Sequence, residues 1–280
     1  MSAASAPIAT GRTGRGMIRY SGRRILASPA VAPLIVFVIA LAIWQLGGFH
    51  ALFGLKTYSV PYPSAIMAGL TKNGSVILGA LSATLPAALL GWISGMSLGF
   101  LTATVLVRVA PGAIALVLPT LSASNSLPIV ALAPLMALFV GPGIALKVIV
   151  VTIMTAPIMA VYAVRGLTNV EPNALELMAS IEATRGQVFG MLRRPTALPF
   201  LFAALKSSVV LALIGTIVSE AVRGFEGLGY VIVDSTGLFN APKAWLALIA
   251  IGATGIAWYL IVEVVERLVL PWEAAGRRQD

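Results

Sequence analysis

Long apolar runs without a single charged residue constrain this chain more than any other feature of its sequence. The hydrocarbon layer of a bilayer is roughly 30 Å thick and an α-helix rises about 1.5 Å per residue, so about 20 apolar residues cross it. A charge at the centre of such a helix costs about 2.5–3.5 kcal/mol, so clean runs of this length predict membrane-spanning helices. The runs cover residues 25–55, 73–107, 109–146 and 244–262, with shorter ones at 148–164 and 207–219.

The composition also indicates that lipid, rather than water, is the main solvent of the chain. Of the 280 residues, 59% are hydrophobic and 10% are charged, whereas about a quarter of the residues of a soluble domain are charged. A soluble protein with a very large core is disfavoured, because soluble helices need a polar face. The net charge of +9 does not indicate nucleic acid, since the basic residues flank apolar runs. We expect the lipid bilayer as a partner and no nucleic acid.

These runs predict an all-α, polytopic membrane protein with about six transmembrane helices. Gly141-Pro142-Gly143 separates the third span from the fourth, because proline cannot continue a helix and glycine readily adopts a turn. The transmembrane domain covers 29–270, between a basic tail over 1–28 and a short tail over 271–280. The six predicted spans cover 29–46, 78–106, 112–138, 144–163, 199–220 and 243–266.

The positions of the arginines predict the orientation. Basic residues accumulate on the cytosolic side of membrane proteins, and with six spans only Arg223 among the arginines falls outside. Both termini are therefore expected in the cytosol. A cleaved signal peptide would need small residues after the first run, where Trp44-Gln45-Leu46 stands instead. The inner arginines are Arg12, Arg15, Arg19, Arg23, Arg24, Arg108, Arg165, Arg185, Arg193, Arg194, Arg267, Arg277 and Arg278.

Small residues and prolines add detail to the predicted spans. Gly91, Gly95 and Gly99 are four residues apart, so they share one helix face and allow a second backbone to approach closely. Pro128 and Pro134 should kink the third span, as should Pro119. Irregular backbone is tolerated in a membrane only where protein or a water-filled path satisfies the freed carbonyl groups. A translocation path near Pro128 and Pro134 is one interpretation, and a kink that serves packing alone is the other.

Ionisable residues near the spans distinguish two kinds of transporter. Carriers driven by ion gradients usually hold ionisable residues near the middle of the membrane. Glu220 lies at the predicted outer end of the fifth span, next to Ser219, and Lys206 lies near its inner end. We interpret Glu220 as a helix-end carboxylate that reaches the membrane surface, and the alternative is that Ser219 and Glu220 contribute to an outer gate. The spacing of Glu263, Glu266 and Arg267 predicts a helix-terminal ion pair.

The longest predicted inner segment, 165–197, is too long to be a simple connection. Pro172 and Asn173 suit the start of a helix, and the apolar spacing up to Ile181 predicts a short amphipathic helix with Glu176 and Glu182 toward water. A second short helix is predicted over 187–192. Pro195 and Pro199 are expected to end it and to lead into the fifth span.

This segment resembles the cytoplasmic EAA loop of binding-protein-dependent ABC importer permeases. Two departures are present: Glu182 stands where the family has a glycine, and Leu177 and Met178 stand where it has two alanines. Since a residue other than glycine is strained at positive φ, we expect the turn to be rebuilt around Gly186. The matching positions are Glu176, Ala179, Ala183-Thr184-Arg185, Gln187-Val188-Phe189, Pro195 and Pro199.

Further parts of the chain resemble the same family. Val60-Pro61-Tyr62-Pro63-Ser64 is similar to an element before the second span, and the stretch from Leu198 to Ile232 is similar to the sequence after the loop. The resemblance extends over about residues 30–270 and is closest to permeases of the nitrate, sulfonate, taurine and pyrimidine type. It implies a subunit that forms the path for a small solute, either a small anion or a pyrimidine- or flavin-like heterocycle.

The resemblance also implies the partners. We expect two copies of an ATPase subunit, a second permease subunit that forms a homodimer, and a periplasmic or lipoprotein substrate-binding protein. The resemblance also implies that the protein lies in the inner membrane of a bacterial cell. The loop would dock in a groove of the ATPase, with Met178, Ala179 and Phe189 in buried contacts and Glu176 and Arg185 at the rim. The remaining coupling positions are Glu182, Ala183, Thr184, Pro195 and Pro199. The alternative is an amphipathic loop that lies on the bilayer surface.

Other functions lack their sequence signatures. The chain contains no phosphate-binding Gly-x-x-x-x-Gly-Lys-Ser/Thr string, so ATP hydrolysis is expected only from a partner subunit. Gly224-Phe225-Glu226-Gly227-Leu228-Gly229 lacks the lysine and is interpreted as a surface turn. His50 is the only histidine and cysteine is absent, so we expect no metal site, no cofactor and no enzyme activity. An ion-coupled secondary transporter is the alternative function.

Overall fold

The elements of the chain are helical throughout the residues that the computed structural model describes, which are 31–124 and 128–271. The predicted basic tail over 1–28 and nearly all of the predicted tail over 271–280 lie outside the described residues. The helices are α1 (Val31–Gln45), α2 (Gly48–Phe53), α3 (Pro63–Val109), α4 (Ile114–Ser124), α5 (Ile129–Val140), α6 (Ile144–Thr168), α7 (Pro172–Ser180), α8 (Arg185–Gln187), α9 (Arg194–Arg223), α10 (Leu228–Gly237) and α11 (Ala241–Val269).

The chain divides into two units, Met1–Leu55 and Lys56–Asp280. In the first unit, α1 contains 15 residues and no charge, and it coincides with the predicted first span. Two glycines with positive φ, Gly47 at 79° and Gly54 at 63°, flank the short helix α2. Glycine suits both positions because it has no Cβ to clash in the left-handed region.

In the second unit, four helical stretches are long and apolar enough to cross a membrane. They are α3, α6, the stretch Arg185–Val222 that contains α8 and most of α9, and α11. The apolar helices α4 and α5 are shorter and occupy the predicted third span. The prediction of an all-α polytopic membrane protein is confirmed.

The predicted third span differs most from the structure, because it consists of two helices instead of one kinked helix. Pro128 caps α5 with an extended backbone (φ −71°, ψ 108°), so the helix begins after it. Proline has no N–H group and disfavours helical structure in the residue before it, which favours a break at this point. Pro119 and Pro134 instead lie inside α4 and α5.

The helix α3 is longer than the predicted second span by 15 residues at its start, since it begins at Pro63 instead of residue 78. Proline is favourable in the first turn of a helix, where its missing N–H has no partner to lose. With 47 residues α3 is about 70 Å long, more than twice the hydrocarbon thickness. The hydropathy of the sequence identified only its apolar part.

The helices α3 and α6 pack closely in the same direction along the predicted glycine face. A Cβ atom at Gly91 would lie 2.9 Å from the carbonyl oxygen of Val148, and one at Gly99 would lie 3.0 Å from the amide nitrogen of Ala160. The hydroxyl of Thr152 donates a hydrogen bond across this contact to the carbonyl of Gly91 (3.2 Å). The predicted close approach at Gly91, Gly95 and Gly99 is confirmed, with α6 as the neighbour.

The prolines before the fifth span do not end a helix, contrary to the prediction. A π-helical segment, Val188–Arg193, joins α8 to α9 without interruption. In it the amide of Arg194 bonds to the carbonyl of Phe189, five residues earlier, and Pro195 then occupies the first turn of α9. Proline is tolerated there because its N–H is not required, and Pro199 lies inside α9.

Candidate functional site

The α7–α8 turn is a compact connection between two helices. α7 ends in a Schellman arrangement of two hydrogen bonds. The amide of Ala183 donates to the carbonyl of Met178 (3.0 Å), and the amide of Glu182 donates to the carbonyl of Ala179 (3.0 Å). This arrangement requires a left-handed residue at its fifth position, and Glu182 adopts φ 54°. The expectation that Gly186 rebuilds the turn is wrong, because Gly186 lies inside α8 and Glu182 itself takes the strained conformation.

The start of α8 is held by a capping box. The amide of Gln187 donates to the Thr184 hydroxyl (3.3 Å), and the amide of Thr184 donates to the Gln187 side-chain oxygen (2.8 Å). The spacing Thr-x-x-Gln is the sequence signature of this motif, so the helix start was detectable without the resemblance. Together with the Schellman turn, it fixes the path of the chain between α7 and α8.

The outer surface of this loop carries three large apolar side chains. The relative exposures of Leu177, Ile181 and Met191 are 63%, 66% and 69%. Glu176 and Ala179 are exposed too, and Met178 is half-buried. Exposed apolar side chains of this size in one loop are typical of a protein-interaction surface.

Phe189 does not belong to that outer surface. Its ring is half-buried and packs against the core formed by α3, α6 and α9. The guanidinium of Arg108, at the end of α3, lies 4.4 Å from the centroid of the ring, a cation–π contact. The side chain therefore connects the loop to the spans, and its predicted contact with the ATPase subunit stays a prediction.

A buried ion pair lies at the opposite end of α6 and α9. Lys147 Nζ is 3.0 Å from Glu220 Oε1, and the two side chains are 4% and 0% exposed. The other carboxylate oxygen, Oε2, accepts hydrogen bonds from the Thr84 hydroxyl (3.0 Å) and the Gly229 amide (3.0 Å). The interpretation of Glu220 as a helix-end carboxylate at the surface is wrong, because three other helices cover it.

The helix α10 is part of this arrangement, and sequence reasoning missed it. Its first residue, Leu228, donates its amide to the Thr84 hydroxyl (2.9 Å), and Gly227 to Gly229 are buried against the carboxylate of Glu220. The predicted surface turn over 224–229 is therefore wrong from Gly227 onward. A carboxylate at the N-terminus of a helix is stabilised by the free amide groups there.

The residues predicted to line a translocation path offer no unpaired polar side chain among the residues that the structure describes. Ser219 is buried, and its hydroxyl donates to the carbonyl of Gly215 (2.7 Å) on its own helix. Pro134 is half-buried in α5, whose neighbour Ala133 packs with Leu146 and Val150 of α6. Pro128 is exposed at the start of α5. A role of these residues in translocation remains a prediction.

A second ion-pair cluster connects α9 to α11. Lys206 Nζ lies 3.0 Å from Glu263 Oε2 and also bonds to Glu266, and Arg267 lies 3.0 Å from Glu263 Oε1. The predicted ion pair at the end of α11 is present, and Lys206 was the partner that the sequence did not reveal. Groups that alternate in charge in this way neutralise one another inside the bundle.

The family of binding-protein-dependent transport system inner membrane components matches residues 87–272, which include the loop, α10 and both ion-pair clusters. The chain belongs to this family of ABC importer permeases. Permeases of this family are not enzymes themselves, and as such a subunit the protein acts with an ATPase and a binding protein. It is a multi-pass protein of the inner membrane.

Several transport permeases are similar over most of the chain. The riboflavin transport system permease RibX of Chloroflexus aurantiacus is 30% identical over 88% of this permease and 92% of its own length. The formylaminopyrimidine transport permease ThiX of Halalkalibacterium halodurans is 29% identical over 87% and 96%. The putative aliphatic sulfonates permease SsuC of Bacillus subtilis is 23% identical over 92% and 90%.

Solved structures of ABC transporters share the fold. A chain of an inward-facing MetNI methionine transporter aligns with a TM-score of 0.57 and 20% identity over 70% of this permease and 94% of that chain. A chain of an amino acid ABC transporter crystallised with histidines gives a TM-score of 0.58 and 18% identity over 71% and 97%. At this level of identity the likeness concerns the fold alone.

Proposed function

We propose that this permease takes up a small heterocycle, with energy from ATP hydrolysis by separate subunits that dock on the α7–α8 loop. The observation that carries the docking is the exposed apolar group of Leu177, Ile181 and Met191. An interface core of such side chains, with Glu176 and Arg185 at its rim, has the composition of a protein-binding surface. Met178 and Ala179 lie on the same helix and belong to this proposed surface.

The construction of the loop suits the transmission of movement. The Schellman turn at Glu182 and the capping box of Thr184 leave little freedom between α7 and α8. Ala183 lies between these two motifs, and α8 continues through the π-helical segment past Pro195 and Pro199 into α9. A displacement of α7 by a docked subunit would therefore move α9 as a lever, rather than be lost in a flexible connection.

The assembly that this proposal requires contains two permeases and two ATPase subunits. Four long helices and three short apolar ones, counted over the described residues, are few for a single chain that must surround a path alone, so we propose a second permease subunit and a homodimer. An external binding protein would deliver the solute, and it must bind the outward-open state more tightly to favour it. Both termini are proposed to lie in the cytosol, on the side of the α7–α8 loop.

Heterocycle transport is favoured by the names of the similar permeases. RibX is described by riboflavin and ThiX by formylaminopyrimidine, and both share more identity with this permease than SsuC, which is described by sulfonates. Aliphatic sulfonates and similar small anions are the second candidate class. Uptake of radiolabelled riboflavin, a pyrimidine and taurine by cells with and without the gene tests the choice. Loss of taurine uptake alone would contradict the heterocycle proposal.

The docking proposal has a direct test in the purified complex. A double substitution, Leu177→Glu with Ile181→Glu, should lower co-purification of the ATPase subunit by about tenfold or more, because two apolar contacts become buried charges. Phe225→Glu changes an exposed aromatic residue before α10, at the other end of α9, and is the control. Unchanged co-purification and unchanged ATP hydrolysis in the double variant would contradict the docking site.

An ion-coupled carrier is less well supported. Both carboxylates that are buried among the described residues, Glu220 and Glu266, are paired with a lysine. A carboxylate that binds and releases a coupling ion needs access that such pairing does not provide. Uptake that persists after ATP depletion and stops when the ion gradient is dissipated would support the carrier and contradict the importer.

A further inference from the structure

A cavity of about 670 Å³ lies between the ends of α3 and α6 and the start of α8. Three of its lining residues are arginines from separate segments: Arg108 at the end of α3, Arg185 in α8 and Arg193 in the π-helical segment. No carboxylate belongs to the described lining. The other lining residues are Val107, Pro111, Ile114, Thr168, Ala183, Val188 and Phe189.

Among the residues that the structure describes, no carboxylate forms an ion pair with these three guanidinium groups. The ion pairs of the described residues involve Lys147, Lys206, Lys243 and Arg267, and none of the three cavity arginines. Arg108 stacks on Phe189, and Arg193 donates one long hydrogen bond (3.4 Å) to the carbonyl of Leu167. These contacts orient two of the arginines and neutralise neither, so the cavity presents positive charge that an anion would neutralise.

The mixed lining identifies the chemistry of the anion. Guanidinium groups bind phosphate through paired N–H donors, and several of them around one cavity favour a phosphate over a single carboxylate. The apolar residues Val107, Ile114 and Val188 provide a surface for hydrocarbon beside the charged groups. Basic pockets between transmembrane helices on the cytoplasmic side are typical sites for anionic lipid headgroups.

We propose that this cavity binds a phosphate group, supplied by the headgroup of an anionic phospholipid or by free phosphate. A phosphate held by Arg108, Arg185 and Arg193 bridges α3, α8 and the π-helical segment, so its binding fixes the α7–α8 loop against the spans. The membrane side follows from the proposed function, since the cavity lies next to the proposed docking loop. Binding itself does not depend on that function, because the permease alone contains all three arginines.

The test uses the full-length permease alone, purified in detergent and freed of lipid. Native mass spectrometry measures the binding of phosphatidylglycerol, with phosphatidylcholine as the neutral comparison, and inorganic phosphate is added in a separate series. Arg108→Gln and Arg193→Gln should each weaken phosphatidylglycerol binding about fivefold, and together more strongly. Arg194→Gln removes an exposed neighbouring arginine that does not line the cavity and should leave binding unchanged.

The outcomes separate the sources of the phosphate. Arginine-dependent preference for phosphatidylglycerol supports a lipid headgroup, and arginine-dependent binding of inorganic phosphate alone supports free phosphate. The variants Arg108→Lys and Arg193→Lys keep the charge but lose the paired donors, so they should bind more weakly than wild type and more tightly than the glutamine variants, which controls for misfolding. Equal binding of both lipids, or equal binding by wild type and glutamine variants, would overturn the proposal.

Glutamine variants that bind lipid normally but lose the ATPase subunit would also overturn it, since the cavity would then hold a partner's acidic side chain. Failure of ATPase docking with intact lipid binding would contradict the proposed function only.

Discussion

Lys147 and Glu220 form a buried ion pair, 3.0 Å apart, between the first turn of α6 and the last turn of α9. Helix N-termini are partly positive and C-termini are partly negative. The lysine therefore lies at the unfavourable end of α6, and the glutamate lies at the unfavourable end of α9. Glu220 is stabilised instead by the amide of Gly229 at the start of α10 and by Thr84 of α3. The pair therefore joins four helices at one point.

Breaking this pair from one side should destabilise the permease strongly. Glu220→Gln leaves the buried Lys147 charge with only the exposed carboxylate of Glu226, 3.9 Å away, and breaking a buried ion pair in this way costs about 3–5 kcal/mol. Lys147→Met leaves the carboxylate with two of its three hydrogen-bond donors and should cost less. Thermal unfolding of the purified permease in detergent measures both effects.

The double variant Lys147→Met with Glu220→Gln provides the control for this interaction. With both charges removed, the loss should be smaller than the sum of the single losses, by roughly 1–3 kcal/mol. Losses that simply add would show that the two residues act independently, in spite of their distance.

Gly227 should not accept any side chain. Its backbone (φ 101°, ψ 172°) is in a region that only glycine adopts readily, and a Cβ atom there would overlap the carboxylate of Glu220. Gly227→Ala is expected to lose about 1–3 kcal/mol of stability and to detach the start of α10. Gly237→Ala, at the end of the same helix with no atom within 4 Å, is the matched control. Equal melting temperatures of the two variants would contradict this account.

The sequence predicted the features that depend on local pattern. Charge-free runs identified the spans, and the spacing of apolar residues after Pro172 identified α7. Three glycines four residues apart identified the close contact of α3, although not α6 as its neighbour. Each of these signals lies within a few turns of one helix, so no knowledge of distant residues was required.

Features that depend on distant residues were missed. Glu220 was assigned to the surface because its partner Lys147 lies 73 positions away in the sequence. The contact of Phe189 with Arg108 was missed because the two residues lie in different helices, far apart in the sequence. The helix α10 was missed because its start is glycine-rich and is stabilised by Thr84 and Glu220 instead of by its own side chains.

Glu182 should be replaceable by glycine with a gain in stability. The residue adopts φ 54° at the end of α7, a conformation that costs a residue with a side chain about 1 kcal/mol. Glu182→Gly is therefore expected to raise the melting temperature without a loss of solute-stimulated ATP hydrolysis. Glu182→Ala keeps the strain and removes the carboxylate, so it should give no gain. Lower hydrolysis in both variants would mean that the carboxylate itself contacts the partner.

Gly95 is the central one of the three small residues between α3 and α6, and it should not tolerate a side chain. A Cβ atom there would overlap the Thr155 hydroxyl and approach the backbone of α6, at 3.1 Å from the carbonyl oxygen of Thr152 and 3.2 Å from the nitrogen of Ala156. Backbone cannot rotate away as a side chain does, so Gly95→Ala should separate the helices and cost about 1–3 kcal/mol.

The control variant, Gly79→Ala, adds the same methyl group to an exposed position of α3 with no atom within 4 Å. It should leave the melting temperature unchanged or raise it, because alanine favours helix over glycine. A loss of similar size in both variants would mean that α3 tolerates no added methyl group anywhere, and would remove the case for a specific contact with α6.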